Sequence, residues 1–204
     1  MTKMMPLLLC AVAPVFAAEG SMTSAERAYL LEQLTTTRKA MLASIEGLSA
    51  EQWAFKPAPE VWSVKESAEH IILAEDYIFG RAQQMLKTEA VARPASSNEE
   101  VDHKLVAGVQ DRSQKFKAPE PIVPSGKFAT PKDAASEFTA RRDKTIAYAK
   151  STNDELRVHV GPGPVGPMDA YQLLLLLASH SARHTAQIRE VQGNTGYPKT
   201  ASGE

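Results

Sequence analysis

Apolar residues return at helical spacing in four long stretches of the chain. The first opens at "TSAE", where Thr23 and Glu26 have the separation of a capping box. Tyr29, Leu30, Leu34, Met41, Leu42 and Ile45 then follow one face, and Gly47 marks the end. The second opens at "SVKE", where Ser63 and Glu66 repeat the separation, and continues through Val64, Ala68, Ile71, Ile72, Ile78 and Met85 to about residue 88. The third starts at Thr130, with Pro131 in the first-turn position that proline favours, and reaches about 151. The fourth, about 168–192, is apolar nearly all round in "AYQLLLLLAS" and stops at Gly193.

The intervening segments read as connections. "LSAEQWAFKPAPEVW" is a loop with two prolines and two tryptophans. Residues 89–130 form a long connection with one short helix, from Ser97 through Val101, Leu105 and Val109. Its remainder, "KAPEPIVPSGKFATP", is turn chemistry, and "VGPGPVGP" reads as a rigid connector. No alternating pattern runs beyond four or five residues. The expected fold is therefore all-α: a four-helix bundle over 22–204, with a short extra helix between the second and third long helices. Short links favour antiparallel neighbours for the first and second helices and for the third and fourth. The long connection lets the second and third run parallel, an up-down-down-up order.

Composition narrows the class. The chain has 204 residues, 43% hydrophobic and 23% charged, with a net charge of -1. No basic stripe is present, so nucleic acid is not the expected partner. "MTKMMPLLLCAVAPVFAAEG" has an early lysine, an apolar run over 4–16 and then small residues, so 1–18 reads as a secretory signal peptide. The run is too short to span a bilayer, which needs about 20 apolar residues. A secreted or periplasmic location follows; a true start at Met22 would make the protein cytoplasmic instead. A lipoprotein signal ending at Cys10 fits less well, because Leu9 stands where a small residue belongs. Cys10 is the sole cysteine, so the mature chain would have no thiol for a disulfide, a metal or a nucleophile.

Chemistry then falls to histidine. His180 and His184 lie one helical turn apart at the end of a buried stripe, and residues at that spacing project from one face. Spacing alone is a weak signal and favours a pair of solvated or hydrogen-bonded histidines. The Glu that follows the first His in a zincin helix is missing. His70, early in the second long helix, is a third candidate, since bundles build metal sites from facing helices. Three neutral imidazoles leave a Zn²⁺-type ion an open position.

Together, "VWSVKESAEHIILAEDYI" and "HSARHTAQIREVQGNTGYP" resemble the DinB-like (YfiT-like) superfamily of metal-dependent proteins, over about 22–198. The shared pattern is a Trp-Ser helix start leading to a His, then His-x-x-x-His-x-x-Gln-Ile, then Gly and Pro. The resemblance implies an up-down-down-up bundle in which His70, His180 and His184 bind a divalent metal, zinc or nickel first. It implies thiol-dependent transfer, or isomerisation with a thiol cofactor, on a small molecule whose identity stays open. Export would separate the protein from cytosolic thiols and so favours metal–water chemistry such as hydrolysis. A non-enzymatic, extracytoplasmic metal- or ligand-binding bundle is the alternative. A homodimer through bundle faces is a further arrangement open to the chain.

Other residues receive plainer readings. Trp53 and Trp62 are expected to be core or loop anchors, His103 to be solvent-exposed, and His159 to be incidental unless its loop reaches the site. Gln187, one turn after His184, could donate to a metal-bound ligand, though a surface or inter-helix role fits it at least as well. Glu66, Glu69 and Glu75 are candidate acceptors for a ligand N–H, with Glu66 better placed to cap its helix. No residue stands out as a general base.

Overall fold

The computed structural model describes residues 20–164 and 166–199. The expected signal peptide, with Cys10, lies outside the described residues. Four long helices form the body: α1 (Ser24–Ile45), α3 (Val64–Met85), α5 (Pro131–Ser151) and α6 (Ala170–Gln192). Two short ones, α2 (Ala50–Ala54) and α4 (Glu99–Gln110), lie in the connections. No helix among the described residues is long and apolar enough to cross a membrane.

Local chemistry sets the boundaries. Thr23 and Ser63 accept from the N–H of Glu26 and Glu66, whose carboxylates return the bond, so both expected capping boxes form. Two more, Ser49/Gln52 and Asp169/Gln172, start α2 and α6. Gly47 has φ 69°, a left-handed conformation that glycine adopts without steric cost. Thr130 caps α5, with Pro131 in its first turn.

The apolar faces meet in two clusters at opposite ends. One gathers the start of α1 (Leu30, Leu34), the end of α3 (Ala74, Ile78, Ala82), the end of α5 (Ile146, Ala149) and the start of α6 (Tyr171 to Ala178). The other gathers Met41 and Ile45, Val64 to Ile72, Ala134 and Phe138, and Ile188 and Val191. Helices α1 and α6 therefore run one way and α3 and α5 the other, the up-down-down-up order. Around the bundle α1 packs on α6, α6 on α3, α3 on α5 and α5 on α1.

The structure departs from expectation in several particulars. The pairs α1/α3 and α5/α6 are antiparallel but diagonal rather than adjacent. Their links carry elements of their own, α2 in one and a hairpin in the other, and so can step across the bundle. That hairpin is the supposed rigid connector: β1 (Val160–Gly163) pairs with β2 (Gly166–Asp169), Gly163 opposite Gly166. Its prolines are tolerated because both strands are edges, and they hide any alternation. The extra helix is capped by Asn98 rather than Ser97, whose hydroxyl donates to the Asp169 carboxylate. Gly193 ends α6 in a right-handed conformation, not a left-handed one.

A buried ion cluster ties these connections to the bundle. Arg157, fully buried, pairs with Glu26 at 2.7 Å, Asp169 at 3.0 Å and Asp102, and its guanidinium lies 3.8 Å from the Tyr171 ring centroid. A second buried pair, Arg142–Glu75 at 2.6 Å, joins α5 to α3.

Candidate metal centre

His70 sits in the second turn of α3, after the Ser63 capping box, and His180 and His184 sit one turn apart on α6. Because α3 and α6 pack antiparallel, the three rings meet. Their centroids are 4.8 Å (His70–His180), 4.4 Å (His70–His184) and 4.5 Å (His180–His184) apart. One ring nitrogen from each lies within 4.8 Å of the others, and the Nε2 atoms of His70 and His180 are 3.0 Å apart.

Hydrogen bonds orient two of the rings. His70 Nδ1 lies 2.7 Å from the Ile122 carbonyl. A carbonyl can only accept, so Nδ1 carries the proton and Nε2 keeps its lone pair. His184 Nδ1 donates to Gln187 Oε1 at 2.8 Å, with the same result. Gln187 thus accepts from a ring instead of donating to a ligand, and Ile122 takes a role that no side chain announced. Trp62, expected to be only an anchor, stacks on the site, its ring centroid 4.8 Å from His70 and 6.2 Å from His184.

None of the three glutamates hydrogen-bonds to a histidine ring. Glu66 closes its capping box and pairs with Lys56 at 2.9 Å. Glu75 pairs with Arg142. Glu69 accepts from the backbone N–H groups of Ser125, Gly126 and Lys127. Among the described residues no carboxylate hydrogen-bonds to the three rings. Arg183, beside His184, donates to the carbonyls of Val109, Asp111 and Gln114 and so anchors the loop after α4.

Electrostatics keep the imidazoles neutral. Burial lowers the His70 pKa, partly offset by the Ile122 bond. Burial, then the charge of His70, lowers His184 to about 3. Burial, then the other two histidines, holds His180 well below its ordinary value. Neutral imidazole is the form that ligates a metal. Two ligands at about 2.1 Å on one tetrahedral ion stand about 3.4 Å apart. The donor set and the observed spacings fit such an ion.

The other aromatic and histidine candidates lie elsewhere. Trp53 is buried in the apolar cluster. His103 is exposed and stacks on Tyr29 at 4.5 Å. His159 meets the Thr88 carbonyl at 3.0 Å, at the end of the bundle away from the triad.

With this geometry in hand, the likenesses are specific. The model of the DinB superfamily matches residues 33–188. The uncharacterized protein YuaE of Bacillus subtilis (strain 168) is 30% identical over 149 residues, covering 72% of this chain and 88% of its own. Among solved structures, YfiT from Bacillus subtilis, described as a probable metal-dependent hydrolase with an unusual four-helix bundle topology, aligns with a TM-score of 0.58 and 16% identity, over 90% of this chain and 95% of its own. That structural likeness carries the fold, and the sequence match, running from α1 well into α6, carries the family: the chain belongs to the DinB superfamily.

Proposed function

We propose that this chain is a divalent-metal-dependent enzyme acting on a small molecule, with His70, His180 and His184 as the ligands and zinc or nickel as the ion. One observation carries the reading: three neutral imidazoles, one buried and two part-buried, converge, two of them with Nδ1 committed to an acceptor so that Nε2 is free. Bound there, a divalent ion would supply Lewis acidity toward a coordinated water or substrate atom. The chain's own residues hold and orient. Ile122 and Gln187 fix ring rotation and tautomer, and Trp62 gives the site an aromatic wall that excludes water on its side.

Between thiol-dependent chemistry and hydrolysis, hydrolysis is favoured. The structural neighbour YfiT is described as a probable metal-dependent hydrolase, and the expected export of this chain would remove it from cytosolic thiols. A second reading, metal or ligand binding without catalysis, draws on the lack of a carboxylate hydrogen-bonded to the rings.

The deciding experiment is elemental analysis of untagged protein for wild type and His184→Ala, with a panel of ester, amide and phosphoester substrates before and after chelation. Near-stoichiometric metal lost in the variant, with chelator-sensitive turnover, supports the enzyme. Metal without turnover supports the binding protein. Protein that takes up neither Zn²⁺ nor Ni²⁺ overturns both.

A further inference from the structure

We infer that Glu69 is a positioning residue for His70, acting through the loop 122–127 rather than by contact. Glu69 and His70 are consecutive on α3, and each grips a different part of the same short loop. The fully buried Glu69 carboxylate accepts from Ser125 N–H at 2.7 Å, Ser125 Oγ at 3.2 Å, Gly126 N–H at 2.9 Å and Lys127 N–H at 3.0 Å. Three successive backbone donors turned onto one anion form a nest. Gly126 makes the turn possible at φ 89°. Three residues before the nest, the buried Ile122 ends a single 3-10 turn, and its carbonyl receives the His70 Nδ1–H at 2.7 Å.

The two grips close a ring: Glu69 carboxylate, nest, Ile122 carbonyl, His70 imidazole, and back along one peptide unit of α3. Loops of this kind are ordinarily mobile, and this one is mostly exposed from 119 to 127. Without the carboxylate, the carbonyl would be held against His70 by Ile122 packing, the backbone bonds of its own turn and the buried Phe128 beyond the loop, none of them a hydrogen bond to the helix turn that carries His70. With it, the carbonyl's position is referred to the same helix that carries the ring. Rotation about χ2 of His70 and exchange between its tautomers are both opposed by that bond. The consequence for an ion rests on the proposed three-histidine site; the grip itself does not.

The test separates the two. Long-range proton–nitrogen correlation spectra of nitrogen-15-labelled, metal-free protein report the tautomer of each histidine. Wild type should show His70 as the Nδ1–H form. E69Q keeps the side-chain volume but turns an amide donor toward the nest. It should give a mixed His70 tautomer with the His184 signals unmoved, and Zn²⁺ affinity should fall about 10- to 100-fold. G126A leaves Glu69 in place. Its added methyl meets nothing within 4 Å but strains the turn, so it should displace the same His70 signals to a smaller extent. If E69Q does not fold, G126A decides alone. Unchanged His70 signals in a folded variant overturn the inference. A wild-type chain that takes up no Zn²⁺ overturns the metal reading and leaves the tautomer comparison to decide the grip, a shift supporting it and no shift overturning it.

Discussion

Arg157, near the start of α6, is buried among Glu26, Asp102 and Asp169. Further along the bundle, His70 of α3 is buried and His180 and His184 of α6 are part-buried, with no carboxylate among the described residues bonded to them. Both clusters take polar groups out of water, which is costly unless they are satisfied. In the first, the guanidinium meets three carboxylates, Ser97 and the Gln172 amide add donors to Asp169 and Asp102, and the backbone N–H groups of Gln172 and Thr23 bind the remaining oxygens of Asp169 and Glu26. That cluster is complete: it joins α1, α4, the hairpin and α6 and leaves nothing to add. In the second, one ring nitrogen from each histidine lies within 4.8 Å of the others. Three neutral nitrogen donors gathered at that spacing, two of them held in orientation by their other ring nitrogen, are chemistry suited to a divalent cation.

The contrast can be broken most forcefully at Arg157. Arg157→Met would leave three buried carboxylates facing one another and should cost about 3–5 kcal/mol in denaturant unfolding. His180→Ala in metal-free protein should cost distinctly less, and equal losses would erase the distinction. Acid comes next. His184 has a native pKa of about 3, against about 6.5 in the unfolded chain. Below pH 6.5 the unfolded state binds a proton that the native state refuses. Stability is therefore full above that pH and falls as pH drops toward 3, by up to about 1.4 kcal/mol per pH unit from this group. Thermal melts should show a steeper slope in metal-free wild type than in H184L, which keeps the lowered His70 and His180.

Filling the site sharpens the comparison from the other side. Zn²⁺ at about 100 times its Kd should stabilise the wild type by about 2.7 kcal/mol. The gain should vanish in His184→Ala and persist in a conservative variant of the Arg157 cluster. The smallest effect belongs to Gln187→Leu, which removes the acceptor on His184 Nδ1. Its metal affinity should fall about 10-fold or somewhat more in a competition assay, with the fold intact.

The helices were legible because their signals are local. Ser63 and Glu66, or Thr130 and Pro131, declare a start by side-chain chemistry alone. The capping box at Asp169 and Gln172 has the same signal but stands behind "VGPGPVGP", which reads as loop. The histidines themselves were legible by spacing and family pattern. Their supports were legible only in part. Gln187 shares the helix of His184, so its reach could be foreseen. Ile122 contributes a backbone oxygen, which leaves no mark in side-chain sequence. Glu69 looks like a partner for His70 because it is adjacent, yet neighbours on a helix point about 100° apart, and it faces the loop instead. Trp62 is set against the rings by the chain's entry into α3, a tertiary fact that composition does not encode.

The separation of His70 from His180, 110 positions along the chain, also sets when the site comes into being. A loop of that length closes only as α3 and α6 dock, so the unfolded chain offers an ion no more than the His180–His184 pair. Metal present during refolding should therefore leave the folding rate nearly unchanged and slow unfolding instead. The ion would act as a late lock on a bundle already assembled, rather than as the template on which it assembles.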